Sequence, residues 1–491
     1  MVLAFAPRWA WVAMMTAMFS VACSRTGLEV EPAPVDAAVE TGLPFPPDCL
    51  DDELPRPITP QTSPVGLRVI DSTPCEGWSD PPRRETWTTP PPGAPHELWR
   101  TTGDPQMWGE PVVSIDGSIW IAEYHPESSV SDYFTIATYD RSGSLRWRSR
   151  PLCDLLPSLS VGPDAVGIVG GTTNWRAAGA NNDWSTSQTI FLRLDPDGQL
   201  LDAWASPDGL SSAFPVRGGP MLFSGRPWGV LASCRGQRPL WSRTIVQPAT
   251  GSCVLGITTP EVIPQPDGTA WVSFYLDGDP TQLSADGSIV QTLPRSEPAP
   301  SNALPRARVA GTQDPALVLV VEGALDGYCG DWPTERAALW QGGQLLGAVD
   351  VAIPTTGLPG AGFRLAPDDS IWSTKQFNWV ARFVDRKLAW KREDLVPMTG
   401  TSTSHWAADG SYLDLFYDDA RHTTFLARVE PDGSVAWSID VSQKEAFGQP
   451  FAVAPDGVVY AIVIDRLVAV QTDFAPARRT GEVELPNGYG E

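Results

Sequence analysis

The chain is short of the residues that most chemistry needs. Only four histidines occur in 491 residues. His96, His125, His405 and His422 lack the spacing that gathers imidazoles on a metal or sets one beside a nucleophile, so all four are read as surface or loop residues. The seven cysteines include no Cys-x-x-Cys and no adjacent pair, which argues against a zinc site or a dithiol redox motif. Positive charge is scarce too: 35 Lys and Arg face 58 Asp and Glu, a formal charge of −23. With no basic run, nucleic acid is excluded as a partner, because phosphates are bound by clustered cations. Beyond the amino terminus, no apolar run approaches the roughly 20 residues of a membrane-crossing helix.

What the chain does have is a repeated phrase. Asp116-Gly117-Ser118-Ile119-Trp120 returns as Asp267-Gly268-Thr269-Ala270-Trp271, Asp368-Asp369-Ser370-Ile371-Trp372, Asp409-Gly410-Ser411-Tyr412 and Asp456-Gly457-Val458-Val459-Tyr460. Each copy is a tight turn between two short apolar runs, the mark of a β-hairpin. A second landmark follows, as in Asp140-Arg141-Ser142-Gly143-Ser144-Leu145-Arg146-Trp147, Asp195-Pro196-Asp197-Gly198 and Glu430-Pro431-Asp432-Gly433-Ser434-Val435-Ala436-Trp437. It marks a second hairpin, so each unit has four strands. Degenerate copies of the first phrase lie at Pro163–Ile168, Gly218–Phe223 and Asp314–Leu319. The interval is about 48 residues, the period of a radial repeat architecture.

With the degenerate copies, the first landmark occurs eight times and the second seven. The missing partner lies upstream, where Glu97-Leu98-Trp99-Arg100 resembles Leu145-Arg146-Trp147-Arg148. Pairing of this strand with the final repeat near Leu467 to Val470 would close a ring and leave no free edge. The expectation is an all-β, eight-bladed β-propeller over residues 96–472, seven being the alternative count, followed by a tail at 473–491. The 21 tryptophans, many at repeat positions, are read as packing.

Residues 1–22 have the form of an export signal: a positive start, an apolar stretch from Trp9 to Phe19, then small residues. Residues 23–95 are rich in proline and acid and read as an extended tether. Apart from Cys23, the cysteines at 49, 75, 153, 234, 253 and 329 are an even set in an exported chain, hence disulfide candidates. Cys49 and Cys75 are placed to close one local loop in the tether. Cys153, Cys234 and Cys329 are expected at the end of the blades that carries long insertions, and Cys253 at the other.

The recurring Asp-Gly hairpin followed by a Gly-x-apolar-x-Trp strand resembles the PQQ-like repeat β-propellers, over roughly residues 96–472. Quinoprotein dehydrogenases of that kind carry adjacent cysteines beneath the cofactor, and this chain has none, so no cofactor is expected. The Asp-rich turns lack the alternating oxygen ligands of a calcium loop and are read as turns. Ser20-Val21-Ala22-Cys23 is similar to a bacterial lipoprotein cleavage box. That resemblance implies lipidation of Cys23, and Ser24 after it implies the outer membrane. Propeller lipoproteins of the outer-membrane assembly type are the functional analogy.

In a four-stranded meander the first–second and third–fourth turns share one end, and they are short here. The second–third connections at the other end carry long insertions, where recognition concentrates. Tyr124, His125, Trp175, Trp184, Trp332 and His422 are the candidate binding face. The function expected is a non-enzymatic, membrane-anchored, monomeric scaffold that binds an envelope protein or glycan, with no catalytic residue and no metal. The alternative is an exported lyase or sugar-acting enzyme with carboxylates in the central channel.

Overall fold

In the computed structural model of the chain, residues 67–69 and most of 90–477 are described, all within one compact unit of residues 40–491. Among the described residues there is no helix, and the strands form eight antiparallel sheets. Each is built on four strands, as the paired hairpins predict, and three of them carry a fifth. Sheet I comprises Gln106–Val113, Ile119–His125, Tyr133–Tyr139 and Leu145–Arg148, and sheet II Leu155–Val161, Gly167–Thr173, Gln188–Leu194 and Leu200–Ser206. Sheet III is Leu210–Pro215, Met221–Gly225, Gly229–Cys234 and Arg238–Thr244; sheet IV is Glu261–Pro264, Ala270–Ser273, Thr281–Leu283 and Ile289–Thr292. Sheet V holds Leu304–Thr312, Leu317–Leu325, Thr334–Gln341 and Gln344–Ala352, and sheet VI Gly362–Leu365, Ile371–Lys375, Trp379–Val384 and Lys387–Arg392. Sheet VII centres on Tyr412–Asp418, Thr423–Val429 and Val435–Ser442, with Val396–Pro397 and His405–Trp406 along its first edge. Sheet VIII takes Phe451–Val453, Val458–Val463 and Arg466–Gln471 from the end of the chain and His96–Arg100 from its beginning. The three degenerate phrases join first and second strands in sheets II, III and V.

The sheets succeed one another radially. The first strands of sheets I to VI neighbour one another in order, sheet VII adjoins sheet VI, and Phe451–Val453 of sheet VIII lies beside Gln106–Val113 of sheet I. Sheets VII and VIII share a core of Leu413, Leu415, Leu426, Phe451, Val459 and Val468. The circuit is sealed by His96–Arg100, whose Trp99 and Arg100 pair with Ala469 and Val468.

The repeated phrase is legible in physical terms. In sheet I the Ser114 carbonyl accepts from Gly117 N at 2.9 Å, and Gly117 turns the chain at φ +80°, where a side chain would be strained. Asp116 Oδ1 accepts from the Ser118 amide and hydroxyl, and Ser118 Oγ accepts from the indole of Trp120 at 3.0 Å. Asp368, Ser370 and Trp372 repeat the arrangement, with Trp372 donating at 3.1 Å. The turn thereby fixes the aromatic ring that follows it, and Trp120, Trp271, Trp372, Tyr412 and Tyr460 are among the largest fully buried side chains.

The second landmark latches neighbouring sheets. Trp147 at the outer edge of sheet I donates its indole N–H to the Pro196 carbonyl in the third–fourth turn of sheet II at 2.9 Å. Trp241 reaches the Ala285 carbonyl of sheet IV at 3.0 Å, and Trp390 the Pro431 carbonyl of sheet VII at 2.8 Å. Arg243 and Arg392, two residues on, take the Gly287 and Gly433 carbonyls of the same turns. At the seam, Trp99 donates to the Arg141 carbonyl of sheet I at 2.8 Å, so the early strand both completes sheet VIII and docks it on sheet I. Sheet V has no tryptophan at this position, and Arg386 of sheet VI binds the Leu346 carbonyl instead. Within sheets, Trp120 meets Trp147 and Trp372 meets Trp390 edge-on, each at 5.1 Å and 84°; such pairs add roughly 0.5–1.5 kcal/mol beyond burial.

Two features depart from expectation. Inside the stretch read as tether, Leu67–Val69 forms a strand that adds to the outer edge of sheet III, Val69 pairing with Trp241. A triplet of Leu, Arg and Val in a proline-rich stretch is enough to cap part of an edge that would otherwise stay unpaired. Cys234 ends the third strand of sheet III and pairs with Arg238 across the third–fourth turn. It therefore lies at the short-turn end, not the long-insertion end. The reason is the brief connection after Met221–Gly225, where Arg226-Pro227-Trp228 alone separates the second strand from the third.

Candidate binding face

The two ends of the sheets differ in what their polar groups do. At the short-turn end, aspartates are consumed by neighbouring arginines: Asp116 with Arg146 at 2.9 Å, Asp368 with Arg382 at 2.5 Å, Asp409 with Arg428 at 2.9 Å, and buried Asp456 with Arg141 of sheet I. Burial opposes ionisation of Asp116 and Asp368, but serine donors and the arginines outweigh it and hold both carboxyls below the usual range. Asp409 is lowered in the same way, with Ser411 as donor. Three of these pairs brace a turn within its own sheet and the Asp456–Arg141 pair spans sheets VIII and I, while the tryptophan latches join sheet to sheet at this end.

At the opposite end, where second strands finish and third strands begin, the polar groups support connections. Glu123, fully buried near the end of Ile119–His125, accepts two bonds from Arg148, at 2.6 and 3.1 Å. Thr135 donates to it at 3.0 Å and Tyr139 at 2.7 Å. Burial and the adjacent carboxylate push the Tyr139 phenol well above its ordinary value. Desolvation works against the Arg148 charge, yet the bonds to Glu123 raise its pKa. This unit braces the start of the second–third connection of sheet I. In sheet V, Glu322 accepts from the backbone and hydroxyl of Ser296, tying the second strand to the link from sheet IV. In sheet VI, Lys391 Nζ stands 5.1 Å over the Trp379 ring, a cation–π contact.

The face proposed from sequence is partly in view. Tyr124 and His125 close the second strand of sheet I, paired with Phe134 and Tyr133. His422 is exposed on the second–third turn of sheet VII at φ +53°, its Nδ1 3.0 Å from the Tyr417 hydroxyl. The Asp418 carboxylate accepts from the Arg421 amide in that same turn. Trp175, Trp184 and Trp332 fall in the chain between second and third strands of sheets II and V, outside the described residues. Cys153 pairs with Tyr133 at the long-connection end of sheet I. Cys23, Cys49, Cys75, Cys253 and Cys329 also lie outside the described residues.

One histidine reading is corrected. His405 is 8% exposed, on a strand opposite Leu413 with its ring 5.1 Å from Phe451; it belongs to the packing between sheets VII and VIII. The Glu123 cluster was missed, although a signal existed. Glu123 falls in phase with Ile119 and Ile121, and in a strand that period puts the acid on the same buried face as those apolar residues. Among the described residues, no three His, Cys, Asp or Glu side chains are grouped to hold a metal, and no helix is long and apolar enough to cross a membrane.

A ring of four-stranded antiparallel sheets, latched edge to turn and sealed by a strand from the other end of the chain, defines a β-propeller. The solved Dos1 propeller superimposes with a TM-score of 0.51 and 8% identity, over 78% of this chain and 95% of that one. The periplasmic gluconolactonase PpgL of Pseudomonas aeruginosa aligns at a TM-score of 0.40 with 13% identity, over 71% of this chain and 99% of that one. No protein-family model and no curated protein matches the sequence. At 8% identity the likeness to the Dos1 propeller is one of fold.

Proposed function

We propose that this chain is an eight-bladed β-propeller, anchored through a lipid on Cys23 to a bacterial outer membrane, that acts as a non-enzymatic scaffold binding an envelope protein or glycan through its second–third connections. The observation that carries the reading is the asymmetry of the two ends. One has its outer tryptophans and arginines bonded to neighbouring sheets and its aspartates paired with arginines, whereas the other carries second–third connections that are long in sheets I, II, IV and V and include Trp175, Trp184 and Trp332. Loops on a rigid frame are where recognition concentrates. The cleavage-box resemblance at Ser20 to Cys23 supports the anchor, since acylation with more than one chain gives stable membrane attachment.

Photo-reactive residues placed singly at Tyr124, Trp332 and His422, and at Ser142 and Asp432 on the opposite end, test the face. Adducts with an envelope protein or glycan are expected from the first three positions; equal labelling from both ends would refute the assignment. Incorporation of a palmitate analogue, lost on Cys23→Ser, tests the anchor. Unlabelled wild-type protein with a free Cys23 thiol would remove it.

A further inference from the structure

The outer strands share one irregularity that exposes a second surface, independent of the connections discussed above. Each fourth strand carries a β-bulge at the same place, leaving one residue unpaired: Leu98, Leu201, Leu240, Val290 and Leu346 occupy it in sheets VIII, II, III, IV and V. Four of these aliphatic side chains are exposed, from 40% at Leu346 to 54% at Val290. Leu240 is 7% exposed. Among the described residues, sheet III is also the one whose fourth strand carries a further strand outside it, Leu67–Val69.

We propose that the outer edge of Arg238–Thr244 is a strand-acceptor site, held in this chain by its own Leu67–Val69 segment and open to an extended, proline-free, aliphatic-rich segment of a partner protein that displaces it. Three features of the resident segment define the occupant's chemistry. The resident segment is antiparallel and extended, with the sequence Leu-Arg-Val. Among the described residues it pairs with Trp241, Ser242 and Arg243, three of the seven residues of the acceptor strand. It is also carried by proline-rich sequence on both sides, with Pro64 and Pro74 bounding the stretch that can pair, since a proline has no N–H to give a ladder. A partner strand without such prolines can pair along more of the acceptor. In strand addition the main-chain bonds supply affinity, so the longer ladder wins.

The test uses the full-length protein and a fluorescent, proline-free peptide of residues 65–72. Arg68→Pro with Val69→Pro removes two consecutive N–H groups, one of which must face the acceptor strand, since successive residues of a strand alternate. This variant is expected to bind the peptide at least tenfold more tightly than wild type. Adding Leu240→Asp is expected to reverse that gain. Hydrogen exchange over residues 238–244 provides a readout that does not rely on the Leu240 variant: protected in wild type, fast in the double-proline variant, protected again with peptide. Equal peptide affinity for wild type and the double-proline variant, or exchange indifferent to the prolines, would overturn the proposal. Concentration-dependent dimerisation of the wild type, abolished by the two prolines, would assign the segment to a second copy and overturn it as well.

Discussion

Gly198→Ala isolates the energetic worth of a single latch. Gly198 sits in the third–fourth turn of sheet II at φ +81°, and a methyl there would lie 2.6 Å from Cδ2 of Trp147 and 2.9 Å from two further ring carbons. Left-handed backbone alone costs a non-glycine residue roughly 1–2 kcal/mol. Ordinary contact begins near 3.4 Å, so the ring must retreat by about 0.8 Å. Trp147 cannot retreat freely, because it is 4% exposed, donates to the Pro196 carbonyl at 2.9 Å and packs edge-on against Trp120. Weakening that hydrogen bond costs about 1 kcal/mol, and disturbing the aromatic pair costs about as much again. Gly342 is the internal control: it turns at φ +55° with no atom within 4 Å of the added carbon. Gly198→Ala is therefore expected to destabilise by about 2 kcal/mol more than Gly342→Ala, measured by urea denaturation followed in tryptophan emission and circular dichroism. In a Trp147→Ala background the excess is expected to vanish. Equal costs at the two glycines, or an excess that survives loss of the ring, would refute the latch.

Glu123→Gln removes the buried carboxylate that faces the partly exposed Arg148 and is expected to cost about 2 kcal/mol, with Arg148→Met in the same chain restoring part of the loss in a double-mutant cycle. Acid is expected to weaken the ring at its short-turn end. The carboxyls of Asp116, Asp368 and Asp409 lie below their ordinary range in the fold, so the unfolded chain takes up protons first as pH falls. Their contribution is complete above pH ~4 and is lost progressively below it; Asp368→Asn is expected to flatten the melting temperature between neutral and acid pH. Tyr139 shifts the other way. Its contribution is whole below pH ~10 and lost above, and comparison of wild type with Tyr139→Phe by ultraviolet tyrosinate absorbance is expected to show one phenol that ionises only on unfolding.

The architecture was readable because it is written many times over. Asp-Gly turns, with glycine or an occasional Asp369 at positive φ, recur where the backbone demands them, and a buried Trp or Tyr follows. Even the sealing strand announced itself, since Glu97-Leu98-Trp99-Arg100 repeats a phrase that makes sense only as the outer strand of another unit. What was not readable depended on a single occurrence. Leu67–Val69 is three residues in a stretch whose composition speaks for spacer, and its partner strand is more than 170 positions away. Cys234 was misplaced because Pro227 marked a connection too short to be noticed. The Glu123 cluster assembles from three strands, and strand periodicity marks Glu123 as buried without saying which arginine awaits it. The binding face has no repeat to average over, because each second–third connection has its own length and sequence.

Thr101 and Leu467 meet at the seam across 366 positions. The opening strand of the circle is thus among the first parts of it to be synthesised, while the strand it pairs with is among the last. Every intermediate before that moment is an arc with two raw ends, slow to complete because its decisive contact is so distant in sequence. A chain cut short near residue 465 would lose its keystone, leaving even correctly formed hairpins in an unfinished curve.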